Sequence, residues 1–158
     1  MKTEIERKFL VVGDSWRDAA DGGRLCEQGY ISSDSEHATV RVRVLGSKGF
    51  LTLKGPTKGI SRSEMEYEIP VKEADYMLRN FCGDRVISKT RYLLELNGLR
   101  WEIDEFSGEN QGLIVAEIEL ETEDQLFEKP DWLGEEVSFD PRYFNAALAQ
   151  NPSANWKI

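Results

Sequence analysis

The chain has 158 residues, enough for one domain with a substantial core, and its formal net charge of −9 argues against a general binder of nucleic acid or anionic membranes. No apolar run approaches the roughly 20 residues of a membrane-crossing helix. Charged residues interrupt the first ten positions, so a secretory leader is not expected and the cytoplasm is the expected compartment. Cys26 and Cys82 lack metal-site spacing and His37 is the only histidine. These counts argue against a histidine-held zinc and a Ser-His-Asp triad. With no linker or repeat, a single domain over 1–158 is expected.

Period-2 alternation dominates the chain and predicts strands at 3–12, 25–32, 38–45, 49–55, 61–70, 85–96, 99–106 and 112–121. Segment 14–21 suggests a short helical turn. Gly46-Ser47-Lys48-Gly49 joins two alternating runs as a hairpin would. Asn97-Gly98 does the same, with residues suited to the positive φ of a type I′ turn. Between the strands, Val71, Ala74, Met77, Leu78 and Phe81 are spaced for one face of a helix over 71–81. Thr122 and Gln125 form a potential capping box for a helix over 122–128, stopped by Pro130. Asp140 as N-cap and Pro141 in the first turn predict a helix over 141–150. Eight antiparallel strands with a few helices predict an α+β protein built on an eight-stranded antiparallel β-barrel with flanking helices.

Successive side chains of a strand point to opposite faces. The charged faces read Glu4, Glu6, Lys8; Arg41, Arg43; Thr52, Lys54; Arg62, Glu64, Glu66, Glu68; Lys89, Arg91; Glu102, Asp104; and Glu117, Glu119, Glu121. Any one such strand is explained by a wet outer face, and cross-strand ion pairs need no function. Together they are less ordinary, because like charges sit adjacent on one face, where they repel unless an opposite charge lies between them. Carboxylate rows suit a hard divalent cation, Mg2+ or Mn2+, which bridges protein carboxylates to phosphates. Arginine-rich rows suit phosphate oxygens. A closed barrel with charged inner walls would hold both. Its apolar outer faces would need cover from the helices or from a second copy in a homodimer.

Glu4-x-Glu6-x-Lys8 resembles the signature of the CYTH superfamily, also called triphosphate tunnel metalloenzymes. The resemblance continues through Gln28-Gly29-Tyr30, Arg41-x-Arg43, Thr52-Leu53-Lys54, Arg62-x-Glu64-x-Glu66, Lys89-x-Arg91, Asp104 and Glu117-x-Glu119. The tail Gly134-Glu135-Glu136-Val137, with Asp140, Arg142-Tyr143 and Asn145, is similar to that of short bacterial members. The resemblance implies an eight-stranded antiparallel tunnel binding a small-molecule triphosphate with Mg2+ or Mn2+. It implies metal ligation by Glu4, Glu6, Glu117 and Glu119, with Asp104 a further candidate. It implies substrate contacts from Lys8, Arg41, Arg43, Lys54, Arg62, Lys89 and Arg91, and makes Lys8, Lys89 and Tyr30 the candidate catalytic groups. Tyr30 is equally well explained as a buried tyrosine with a satisfied hydroxyl. Glu64, Glu66 and Glu68 stay open between ion pairing and a site role.

The expected activity is metal-dependent hydrolysis of inorganic triphosphate to pyrophosphate and phosphate, without a covalent nucleophile. Class IV adenylyl cyclisation and thiamine triphosphate hydrolysis are alternatives on the same fold. A non-catalytic polyphosphate or nucleotide binder is a third, although so many carboxylates serve a pure anion binder poorly.

Overall fold

The computed structural model describes residues 1–34 and 36–156. Its strands are β1 (Lys2–Val11), β2 (Arg24–Ser33), β3 (Thr39–Leu45), β4 (Lys48–Lys54), β5 (Ser61–Ile69), β6 (Val86–Leu96), β7 (Leu99–Phe106), β8 (Ile114–Glu119) and β9 (Leu133–Glu136). Two α-helices accompany them, α1 (Val71–Asn80) and α2 (Asn145–Gln150). The first eight strands close in the order β1-β5-β4-β3-β2-β6-β7-β8 and back to β1, every pair antiparallel. Closure leaves the eight-stranded barrel without an exposed edge except where β1 outruns β5. There the short strand β9 pairs with Phe9 and Val11.

Local chemistry accounts for the hairpins. Asn97 and Gly98 both adopt positive φ (52° and 78°), as a type I′ turn requires, and Leu96 pairs with Leu99 across them. Gly46, at φ 59°, turns β3 into β4, with Leu45 opposite Lys48.

The apolar outer faces are covered in two places. Over β1, β7 and β8, Trp101 stacks edge-on against Phe9, Phe127 and Trp132, with Ile103, Ala116 and Ile118 fully buried beside them. Trp16, on a short 3-10 turn (Ser15–Asp18), packs into the same cluster against Tyr92. Over β2, β3 and β4, α1 buries Ala74 and Leu78 against Val42 and Cys82. A third apolar cluster fills one end of the barrel lumen, where Tyr30, Ile87, Phe106 and Val115 meet Leu148 of α2. Cys26 and Cys82 are free, buried thiols. Among the described residues no helix is long and apolar enough to cross a membrane.

Two expected helices come out differently, and β9 was not expected. Residues 122–128 form a turn, not a helix. The Gln125 side chain does cap back, accepting the Glu121 backbone N–H at 2.7 Å. The following residues form no helix, and Phe127 joins the aromatic cluster, a packing that outweighs a two-turn helix with little intrinsic stability. The segment 141–150 is split into a 3-10 turn over Pro141–Tyr143, capped by Asp140, and α2. Phe144 separates them in an extended conformation (φ −68°, ψ 135°). β9 has only four residues and no alternation, so it carries no period to read.

Candidate active site

Strand pairing turns the charged row of each strand inward. Opposite pairs across the lumen wall include Glu4 with Arg62, Lys54 with Glu64, Arg91 with Asp104, and Lys8 with Glu117. A narrow cavity of about 170 Å3 is lined by Glu4, Glu6, Arg41, Arg43, Lys89 and Glu117 among others. It adjoins a wider vestibule of about 420 Å3 that shares Glu4, Glu6, Arg41, Lys54 and Asn145 and adds Lys8, Tyr30 and Arg62. At the other end of the narrow part stand Lys2, Glu64, Glu66, Glu102 and Glu119.

The basic wall is built from Arg41 and Arg43 on β3 and Lys89 and Arg91 on β6, all buried. Both Arg41 and Arg43 reach Glu66 only at long range, 3.5 and 3.4 Å. The Nε atoms of both arginines are buried without a hydrogen-bond partner among the described residues. A buried unpaired donor costs about 1–3 kcal/mol, more when charged. Burial, together with the neighbouring Arg41 and Arg91 cations, pulls the Arg43 pKa down from its ordinary value. This wall is therefore short of negative charge.

Asp104 organises the other half of it. Only 1% exposed, its carboxylate accepts from Arg91 Nε and Nη2 at 2.8 and 2.9 Å and from Lys89 Nζ at 2.8 Å. Burial alone would raise its pKa, but Arg91 and Lys89 hold it well below the usual carboxylate range. Burial pushes the Lys89 ammonium down against the opposing pull of Asp104. Arg91 is desolvated too, yet Asp104 and Glu102 more than offset this and raise it.

The acidic wall comes from β1 and β8. Glu4 accepts from Lys54 at 3.0 Å, Glu117 lies 3.6 Å from Lys8, and Glu119, half-exposed at the mouth, pairs with Lys2 at 2.8 Å. Glu6 takes no part in these ion pairs. Burial, with the nearby Glu117 and Glu4 charges, pushes its carboxyl up to about 8. Glu117 moves the other way, because Lys8 overcomes the cost of burial and lowers it. Among the described residues no three acidic, histidine or cysteine side chains already converge on one point. Glu4, Glu117 and Glu119 are instead paired with Lys54, Lys8 and Lys2. The donor set is nonetheless carboxylate oxygen alone, with one carboxyl crowded by two like charges, which is chemistry that a hard divalent cation satisfies.

This crowding gives a signed expectation. A folded-state pKa above the unfolded value means that the group's contribution to stability fades as pH rises from the ordinary glutamate range towards 8. With a chelator present at pH 8, Glu6→Gln should therefore raise the thermal midpoint. A gain of about 1–2 kcal/mol, allowing for water in the tunnel, corresponds to about 2–8 °C in a chain of this size. The gain should vanish below pH 5. An unchanged or lowered midpoint at pH 8 would show that Glu6 is not crowded.

The remaining sequence expectations have definite positions. Arg62 lines the vestibule and donates to the Gly55 carbonyl at 3.0 Å, with burial lowering its pKa. Tyr30 borders the vestibule, and its hydroxyl accepts from Gln28 Nε2 at 2.7 Å while burial pushes it up to about 12. Glu64 pairs with Lys54 at 3.3 Å, Glu66 accepts from Thr52 at 3.0 Å, and Glu68 is exposed beside Lys48. Three lumen groups were not singled out as site residues. Glu102, 2.7 Å from Arg91, shares the inward parity of Asp104, and Gln28 shares that of Tyr30, so strand parity was the available signal. Asn145 accepts from Lys89 Nζ at 3.0 Å. It comes from outside the barrel strands, where no periodicity points inward.

A CYTH domain model matches residues 2–144. The chain is 53% identical over 157 residues to a protein named inorganic triphosphatase from Acetivibrio thermocellus, covering 99% of each. It is 40% identical over 150 residues to one of the same name from Nitrosomonas europaea, covering 93% of this chain and 97% of that one. A crystal structure of an inorganic triphosphatase matches with a TM-score of 0.66 at 37% identity, covering 94% of this chain and 95% of that one. With the family model spanning most of its length and the closed, charge-lined barrel in place, the chain belongs to the CYTH family.

Proposed function

We propose that this protein hydrolyses inorganic triphosphate to pyrophosphate and phosphate inside the tunnel, with Mg2+ or Mn2+. The observation that carries this reading is the pair of buried guanidinium Nε donors on Arg41 and Arg43, left without partners on a wall facing carboxylates. Such a wall accepts a polyanion, and oxygen atoms of a triphosphate chain supply the missing acceptors. The relatives named inorganic triphosphatase favour inorganic triphosphate over a nucleotide or thiamine ester.

In this reading Arg41, Arg43, Lys54, Arg62 and Arg91 bind and orient the phosphate chain. Lys8 and Lys89 are assigned to the phosphorus under attack, where their ammonium groups would stabilise charge on its peripheral oxygens. Little covalent chemistry is asked of the protein, because phosphoryl transfer responds chiefly to positioning and electrostatics. Water attacks the terminal phosphorus, the P–O bond to the bridging oxygen breaks, and pyrophosphate leaves. Glu4, Glu6, Glu117 and Glu119 would hold the divalent cation. When bound, that cation neutralises phosphate charge and lowers the pKa of water. Both oxygens of Asp104 accept from Lys89 and Arg91, and in this reading its role is to orient them. Tyr30, protonated and bonded to Gln28, shapes the vestibule wall.

The test is phosphate release from triphosphate, thiamine triphosphate and ATP, each with Mg2+ and with Mn2+. Triphosphate should be turned over fastest. Cyclic AMP from ATP would replace this reading with cyclisation, and binding without turnover of any substrate would leave a polyphosphate receptor.

A further inference from the structure

The stretch Tyr143–Asn145, from the end of the 3-10 turn to the first residue of α2, reaches both candidate catalytic lysines. Lys8 Nζ donates to the Tyr143 carbonyl at 3.1 Å, and Phe144 lies over the same ammonium, 5.7 Å from nitrogen to ring centroid. Lys89 Nζ donates to Asn145 Oδ1 at 3.0 Å. Three consecutive residues of a segment outside the barrel strands therefore hold two lysines on different walls. The split of the expected helix makes this possible. Extended backbone at Phe144 turns the Tyr143 carbonyl and the Asn145 side chain towards the lumen, where one continuous helix would have kept the carbonyl for its own ladder.

We propose that Asn145 is a positioning residue for hydrolysis, fixing the direction in which the Lys89 ammonium donates to the substrate. This rests on the triphosphatase reading above. An ammonium has three donors. In Lys89 one goes to Asp104 at 2.8 Å and one to Asn145 at 3.0 Å, with the side chain buried. Two fixed directions determine the third, and Lys89 borders the narrow cavity. The Asp104 contact by itself anchors one N–H but leaves the ammonium free to swing about that contact. Asn145 removes that freedom. It matters more for the transition state than for ground-state binding, because Arg41, Arg43 and Arg91 already supply most of the attraction for the chain.

Steady-state kinetics on triphosphate, with thermal midpoints alongside, test this with Asn145→Leu and Asn145→Asp. Leucine keeps the volume and loses the acceptor, whereas aspartate keeps the Oδ atom. In Asn145→Leu, kcat should fall about tenfold or more with KM changed less than about threefold, as for a misplaced catalytic group. Its midpoint should stay within about 3 °C of the parent. Asn145→Asp should recover at least half of kcat. Unchanged kcat in Asn145→Leu, a loss carried by KM alone, or no recovery with aspartate would overturn the positioning role while leaving the triphosphatase reading intact. If Asn145→Leu does not fold, Asn145→Ala is read by the same criteria. A parent protein without triphosphate turnover would overturn the functional reading and this inference with it.

Discussion

Glu117→Gln should lower triphosphate turnover by about 10²–10³-fold, the range for removing one preorganised charge contact. The side chain is buried on β8, its carboxylate faces Lys8 at 3.6 Å, and Glu6 stands next to it. Glutamine keeps the shape and loses the charge, so the acidic wall would hold a divalent cation less well. The shift in thermal midpoint on adding Mg2+ should shrink accordingly, since a ligand at 100 times its Kd stabilises by about 2.7 kcal/mol. In the presence of a chelator the sign differs from that at Glu6. Lys8 lowers the Glu117 pKa, so its charge is stabilising above the ordinary glutamate range, and that contribution is lost as pH falls through the lowered value. Glu117→Gln should thus destabilise the chelated protein at pH 8, where Glu6→Gln stabilises it. Near-normal turnover in Glu117→Gln, with an unaltered Mg2+ shift, would remove Glu117 from the metal set.

The largest loss of stability is expected at Asp104. Asp104→Asn leaves Lys89 and Arg91 buried, close to each other and without their shared counter-charge. Breaking a buried pair by removing one partner costs about 3–5 kcal/mol. In a chain of this size that is a fall of about 6–20 °C in thermal midpoint. Because Asp104 sits well below the usual carboxylate range in the folded protein, its stabilisation is present above about pH 4 and is lost as pH falls below that. The difference between Asp104→Asn and the parent should therefore narrow on acidification. Turnover should fall as well, because both cations lose their orientation. A midpoint within about 2 °C of the parent at pH 7 would mean that the Asp104 bridge contributes little.

These two residues illustrate how far the sequence could be read. Glu117 sits in an alternating run, so its face follows from parity, and its neighbours on that face are also acidic. Asp104 has the same parity signal, and nothing in its own strand separates a metal ligand from an ion-pair bridge. The bridge to Lys89 and Arg91 comes from strand pairing, which sets Arg91 opposite Asp104 and Lys89 opposite Phe106. Glu64 and Glu66 are the same case: their inward direction was legible, but the partners Lys54 and Thr52 follow from the register of β4 on β5.

Asn145 was legible only as part of a family-like tail. Its approach to Lys89 depends on the break at Phe144, and that break depends on packing of the chain across the end of the barrel, where Leu148 closes on Tyr30 and Phe106. The turn at 122–128 has the same origin. Local helix signals there were real, as the Gln125 cap shows, but the aromatic cluster around Trp101 demanded Phe127.

The eight strands, two hairpin turns, the inward charged rows and α1 are legible in local pattern, because alternation, Asn-Gly chemistry and helical spacing act over a few neighbouring residues. Which charges meet, the unpaired Nε donors of Arg41 and Arg43, the crowding of Glu6 beside a paired Glu117, and the reach of Tyr143 and Asn145 to the two lysines all come from the folded chain. Those outcomes are set by register, barrel closure and burial. They join residues distant in the chain, and no local pattern carries them.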